Sequence, residues 1–196
     1  YVCGGWNGKQ AMAACESYEP ATGQWELITQ MVHRREWPVL AVNQNRLYVI
    51  GGQDGSEDVQ AVELYDPVLK AWETLPTALQ CRRNAAVAVV DGCLYLSGGH
   101  GHDGRHVLNA VDRFDPNSGV WEALAPMQTH RRNGMAVSLA GRVYVCGGRG
   151  SRGNHNHGGG HALRTVERYD PITGTWEAVQ PMLARRFRGS AVALPM

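Results

Sequence analysis

The stretch Leu47-Tyr48-Val49-Ile50-Gly51-Gly52 decides the fold. A short β-branched and aromatic run ends in a glycine doublet, as a buried strand does where the backbone must turn with positive φ. The doublet recurs as Gly4-Gly5, Gly98-Gly99 and Gly147-Gly148. Behind each comes an aromatic, an acid and a proline, with the aromatic at Tyr18, Tyr65, Phe114 and Tyr169. Seven residues later stands a tryptophan: Trp25, Trp72, Trp121 and Trp176. From each of the first three tryptophans to the next doublet the step is always 26 residues. A fixed period of this length marks a repeat architecture.

Each period holds four strand candidates. In the second they are Pro38 to Val42, Leu47 to Ile50, Val59 to Tyr65 with its half-buried alternation, and Ala71 to Leu75. The turn at Asp66-Pro67 follows from a fixed proline φ and an acid able to accept nearby amides. Four short strands joined by tight turns, repeated every 47 to 55 residues, predict an all-β propeller. The slack lies in one loop: doublet to aromatic takes 14 residues in the first two periods, 16 in the third and 22 in the fourth. Loops that vary on a fixed scaffold are where binding sites are built.

The doublet, the Tyr-Asp-Pro turn and the later tryptophan together resemble kelch repeats, over essentially the whole chain. The resemblance implies a β-propeller of four blades with four antiparallel strands each, divided as 1–30 plus 186–196, 31–78, 79–128 and 129–185. Kelch propellers commonly have six blades, so the chain is also read as a fragment of a larger ring. Arg186 to Leu194 matches the first strand of a blade at Arg131 to Leu139, and Tyr1 to Gly5 matches the tail of a second strand. The expectation is that the last strand closes the first blade, or that the arc stays open. Tyr1 lies inside a strand pattern, so the natural start is expected to be missing.

Composition narrows function. A formal charge of +1 on 196 residues argues against nucleic acid as a partner, so any basic character must be local. No apolar run has the length of a membrane span, and no secretory leader opens the chain. Five cysteines without a Cys-x-x-Cys pair point to a reducing, cytoplasmic setting, with Cys3, Cys15 and Cys146 as small buried hydrophobes. Cys81, beside Arg82 and Arg83, is the thiol whose pKa the sequence would lower.

Two loop sets share one rim. The first is basic: Arg35, Arg82, Arg131 and Arg186 recur at one repeat position. Near them stand His33, Arg34, Arg83, Asn84, His130, Arg132, Asn133, Arg185 and Arg188. Such guanidinium groups suit carboxylate or phosphate partners. The recurrent arginines have an alternative, because every period carries an acid two residues before its aromatic (Glu16, Glu63, Asp112, Glu167) that could pair with them inside a blade. Arg83, Arg132 and Arg188 lack that framework role. The second set is histidine-rich: His100, His102 and His106 are spaced like His155, His157 and His161. Imidazoles two apart on an extended segment could hold zinc, copper or nickel. Asp103 is the only carboxylate nearby to orient them, and the plainer reading is solvated loop. The glycine-rich run Asn154 to Gly160 lacks the Lys-Ser/Thr of a phosphate loop. The strictly periodic tyrosines and tryptophans read as packing.

The resemblance implies a non-catalytic interaction module without cofactor, whose basic rim binds an acidic segment of a protein partner; His100, His102, His155 and His157 of the second loop set are expected to take part in that contact. It further implies a substrate-recognition role in a cullin-type ubiquitin ligase, reached through flanking domains. Actin or cytoskeletal binding is a second job in that class. The enzyme alternatives are a copper-radical oxidase and a sialic-acid epimerase. The first needs a tyrosine, two histidines and a thioether-forming cysteine converging on the axis; the second needs an acid–base pair, and none with suitable placement is visible.

Overall fold

The computed structural model describes residues 1–102, 106–152 and 157–194, with no helix among them. Three antiparallel sheets of four strands succeed one another. They are β4 (Val39–Asn43) to β7 (Ala71–Leu75), with β5 (Arg46–Ile50) and β6 (Val62–Asp66) between; β8 (Ala86–Val90), β9 (Cys93–Ser97), β10 (Val111–Asp115) and β11 (Val120–Leu124); and β12 (Met135–Leu139), β13 (Arg142–Cys146), β16 (Val166–Asp170) and β17 (Thr175–Val179). Ahead of them β1 (Val2–Cys3), β2 (Cys15–Glu19) and β3 (Gln24–Ile28) form a sheet of three. Each unit is an up-and-down meander, and the four-strand reading of the sequence holds in the three complete sheets.

Apolar layers fill the spaces between successive sheets. Cys3, Cys15 and Met31 meet Leu47, Val49 and Tyr65. Tyr48, Ile50 and Leu64 meet Leu94, Leu96 and Phe114. Tyr95 and Val111 meet Val143, Val145 and Tyr169. The second strand of an internal unit is covered on both faces, which is why β5 and β9 read as continuous apolar runs rather than alternating ones. Each framework tryptophan stacks obliquely on its own unit's aromatic, at 4.9–5.3 Å between centroids. Three of them also tie units together: Trp72, Trp121 and Trp176 donate their indole N–H to the carbonyls of Thr29, Pro76 and Ala125 in the preceding unit.

The glycine doublet is an inter-unit clamp. The amide of its second glycine donates to the carbonyl of the recurrent arginine of the next unit: Gly5 to Arg35, Gly52 to Arg82, Gly99 to Arg131 and Gly148 to Arg186, at 2.7–3.0 Å. The backbone approach is close enough to exclude a side chain at the first glycine. A Cβ at Gly51 would lie 2.1 Å from the Arg82 carbonyl oxygen.

The inner strands β4, β8 and β12 stand side by side. With Ala191–Ala193 they wall an axial cavity of about 730 Å³. Residues 187–194 form no strand, so among the described residues the expected pairing of the last strand with the first sheet is not made. The longest loop also departs from its reading as open, glycine-rich chain: β14 (Arg149–Arg152) and β15 (His157–Ala162) pair as a two-stranded ribbon.

Candidate functional site

Two residues beyond each recurrent arginine the backbone adopts left-handed φ, at Trp37 (52°), Asn84 (57°), Asn133 (49°) and Arg188 (55°). Asparagine tolerates this conformation through local side-chain bonding; tryptophan and arginine rarely adopt it. The four form a backbone relay around the mouth: Asn84 donates to Trp37, Asn133 to Asn84, and Arg188 to Asn133. Side chains on this relay and just before it therefore project around one opening.

The recurrent arginines lie beneath that rim. Arg35, Arg82 and Arg131 are at most 1% exposed. Arg35 donates to the carbonyls of Gly51 and Ala61 and pairs with Glu63 at 2.7 Å. Arg82 reaches Ala110 and Asp112, each at 2.6 Å. Arg131 reaches Gly147 at 2.7 Å and Glu167 at 2.6 Å. Each guanidinium cross-braces the second and third strands of its own unit, and none of the three offers a surface to a partner. The expectation of partner contact at these positions gives way to the pairing alternative. Arg186 differs: it is exposed, as is Glu16, the acid at the matching repeat position.

The three buried acids are not equivalent. Glu63 also accepts the amides of Val32 and His33, and Glu167 those of Gln128 and Thr129. Asp112 is one methylene shorter, and among the described residues no backbone amide reaches it. Burial would raise the Glu63 carboxyl, yet Arg35 and the Val32 amide hold it below its ordinary value. At Asp112 burial prevails over Arg82 and the carboxyl is pushed up. Asp112→Glu should recover the two missing amide bonds at Leu79 and Gln80 and raise stability by about 1–2 kcal/mol at neutral pH. The sign with pH follows from the ionised form being the acceptor. Glu63's depressed carboxyl contributes stability that is full above about pH 4.3 and lost as pH falls through its lower folded value, whereas Asp112's raised carboxyl makes no such contribution. The gain from Asp112→Glu should therefore fade on acidification. Urea midpoints at neutral pH and near pH 4 check both statements.

The rim itself is basic on one side. Arg132 is half-buried, and burial together with the charges of Arg149, Arg188 and Arg83 lowers its pKa. Its Nε and the Nδ2 of Asn133 are buried donors without a partner among the described residues. Arg149 donates from Nε to the Gly160 carbonyl at 2.7 Å, and its guanidinium lies 5.6 Å from the Phe187 ring centroid. Arg188 lies 5.8 Å from the same ring. Sequence reading missed Arg149 and Phe187; the signal was available, since Arg149 follows Gly147-Gly148 as His100 follows Gly98-Gly99. Arg83 is already occupied, hydrogen-bonding Gln53, pairing with Asp58 at 3.4 Å and lying over Trp37.

The histidines divide. His100 is buried, while His102, His106 and His161 are exposed. His155 lies outside the described residues, as does Asp103, and the side chain of His157 is not described. Among the described residues no three His, Cys, Asp or Glu side chains come close enough to hold a metal. The Cys81 thiol is pushed up, by burial first and then by Asp58. This corrects the sequence reading, because Arg82 turns inward and Arg83 turns to Gln53 and Asp58.

A family model described as the KLHDC2/KLHL20/DRC7 Kelch-repeats domain matches residues 1–193. The chain belongs to the kelch-repeat family. Among solved structures this kelch chain is similar to one titled "Structure of YjhT", with a TM-score of 0.84 at 18% identity, over 96% of this chain and 69% of that one. At that identity the likeness speaks for the kelch fold alone. No curated protein matches the chain by sequence. Among the described residues of the kelch chain no helix is long and apolar enough to cross a membrane.

Proposed function

We propose that this kelch propeller is a protein-interaction module whose mouth captures an acidic segment of a partner through Arg132, Arg149 and Arg188, with Asn133 as an added donor. One observation carries the reading: Arg132 sits half-buried among three other guanidinium groups, with no carboxylate bonded to it among the described residues. Like charges gathered this way are unfavourable until an anion arrives, and a carboxylate held by several guanidinium forks gains charge-assisted hydrogen bonds. Arg83 contributes at the margin only, because Asp58 offsets it. Presentation of the bound protein to a ubiquitin ligase, in the cytoplasm, is the further step that family resemblance adds.

Fluorescence anisotropy with a labelled glutamate-rich octapeptide tests the reading. Affinity should fall with salt, drop by about tenfold or more in an Arg132→Ala, Arg188→Ala double variant, and stay unchanged in Arg34→Ala. Equal affinity for a glutamine-rich octapeptide would sink the proposal.

A further inference from the structure

At the Trp37 end of the same relay the rim changes sign, and we infer that a second site there takes a cationic side chain, lysine or arginine, from a partner polypeptide. The site is a concave pocket of about 400 Å³ walled by Trp6, Glu36 and Trp37. It goes beyond the acidic-segment reading and stands without it.

The tryptophan count gives the first argument. Of six tryptophans, four stand at the framework position of the repeat. Trp6 and Trp37 are the two that the framework does not require. Trp6 follows Gly4-Gly5 directly, where the other units place Gln53, His100 and Arg149. Trp37 occupies the left-handed relay position held elsewhere by Asn84, Asn133 and Arg188. They are 51% and 45% exposed and line one concavity together, so their rings make a contiguous apolar surface of the kind that marks an interaction site. Both are held in place. A Cβ on Gly55 would lie 3.9 Å from the Trp6 ring, so the second unit's loop runs beside it. Trp37 is fixed in its uncommon backbone conformation, with its carbonyl accepting from Asn84 at 3.4 Å.

The carboxylate gives the second argument. Glu36 is half-buried and lines the pocket together with both rings. Its backbone exchanges both hydrogen bonds with Gln53, which fixes the residue. Its side chain has no hydrogen bond or ion pair among the described residues. Nearby cations already have partners: Arg34 donates to Gln10 at 2.8 Å, Arg35 is buried on Glu63, and Arg83, although it lies over the Trp37 ring, pairs with Asp58 rather than Glu36. In the next two units the position of Glu36 is held by Arg83 and Arg132, so the inversion of charge is local to this pocket.

The third argument is that one of these rings already receives a cation. The Arg83 guanidinium carbon lies 5.7 Å from the Trp37 ring centroid. Indole faces attract guanidinium and ammonium groups, most strongly where water is partly excluded. Two indoles and an unpaired carboxylate around one concavity supply face attraction and a counter-charge together. Neutral ligands of the same shape could use only the rings. A partner segment carrying a basic residue and an acidic one would then run along the rim, from the tryptophan pocket to the Arg132 cluster.

The probes are n-butylguanidinium and n-butylammonium as mimics of the arginine and lysine side chains, with n-butylurea as the neutral control. Indole N–H resonances of Trp6 and Trp37, assigned through Trp6→Phe and Trp37→Phe, are followed at constant ionic strength. Either cation should give saturable shifts at both indoles, and whichever binds more tightly assigns arginine or lysine. Glu36→Gln should weaken the cations about five- to tenfold and leave n-butylurea unaffected. Equal response to n-butylurea, or unchanged cation affinity in Glu36→Gln, overturns the inference. The Arg132→Ala, Arg188→Ala variant should retain the cation response in full, which separates failure here from failure of the acidic-segment reading. Loss of cation binding in that variant counts against a separate site. Because Glu36→Gln is conservative and half-exposed, an unchanged urea midpoint certifies the fold for the comparison.

Discussion

Arg131→Ala is expected to lower stability by about 3–5 kcal/mol, while the same substitution at Arg186 should cost less than about 0.5 kcal/mol. The two residues share a repeat position and a local sequence, and differ in surroundings. Arg131 is 1% exposed and holds Glu167 at 2.6 Å together with the Gly147 and Thr165 carbonyls. Its loss strands a buried carboxylate with only the Gln128 and Thr129 amides left to it, and removes the brace between two strands. Arg186 is exposed, and its side chain braces nothing among the described residues. Breaking one member of a buried pair costs more than replacing both, because the orphaned charge is the larger penalty. An Arg131→Met, Glu167→Leu double variant should accordingly recover part of the loss. Urea midpoints for the four proteins measure this. If Arg131 and Arg186 cost the same, burial is not what distinguishes them and the cross-brace assignment fails.

The comparison shows why the fold was readable and the site only partly so. Strand identity followed from patterns that the chain states four times over, and the structure returned every doublet and every aromatic–tryptophan pair in its expected place. The recurrent arginines were ambiguous because one residue type suits both a buried brace and a ligand contact. Only three-dimensional burial separates the two, although the acid two residues before each aromatic was a visible hint. Cys81 misled because adjacency along the chain was taken for adjacency in space. Trp6 and Trp37 were passed over because the repeat accounts for tryptophan in general; setting six against four isolates them. The ribbon β14–β15 escaped notice since a glycine-rich sequence carries no side-chain alternation to betray a strand. Closure of the first sheet by the last strand was one of two expectations, the other being an open arc, and it rested on a match of pattern; residues 187–194 form no strand.

Gly98→Ala should be severely destabilising, by at least about 3 kcal/mol, and Gly141→Ala should separate the two causes of that loss. Both glycines have left-handed backbone, with φ of 63° and 71°. A Cβ at Gly141 meets nothing within 4 Å, so alanine there carries only the conformational cost, about 1–2 kcal/mol. A Cβ at Gly98 would lie 2.2 Å from the carbonyl oxygen of Arg131 and 3.3 Å from the Leu108 carbonyl oxygen and Met127 Cε. Backbone cannot swing aside as a flexible side-chain end can, so the third and fourth units must separate. The same Arg131 carbonyl accepts the Gly99 amide at 2.9 Å, and its displacement would also move the guanidinium that braces the fourth unit. Gly98→Ala therefore acts on the clamp and on the ion pair at once, and its cost should not add simply to that of Arg131→Ala. Hydrogen exchange gives the local readout: the Gly99 amide should lose protection in Gly98→Ala and keep it in Gly141→Ala. Similar losses of stability in the two variants, with Gly99 still protected, would show that the doublet serves only to turn the chain and does not hold one blade against the next.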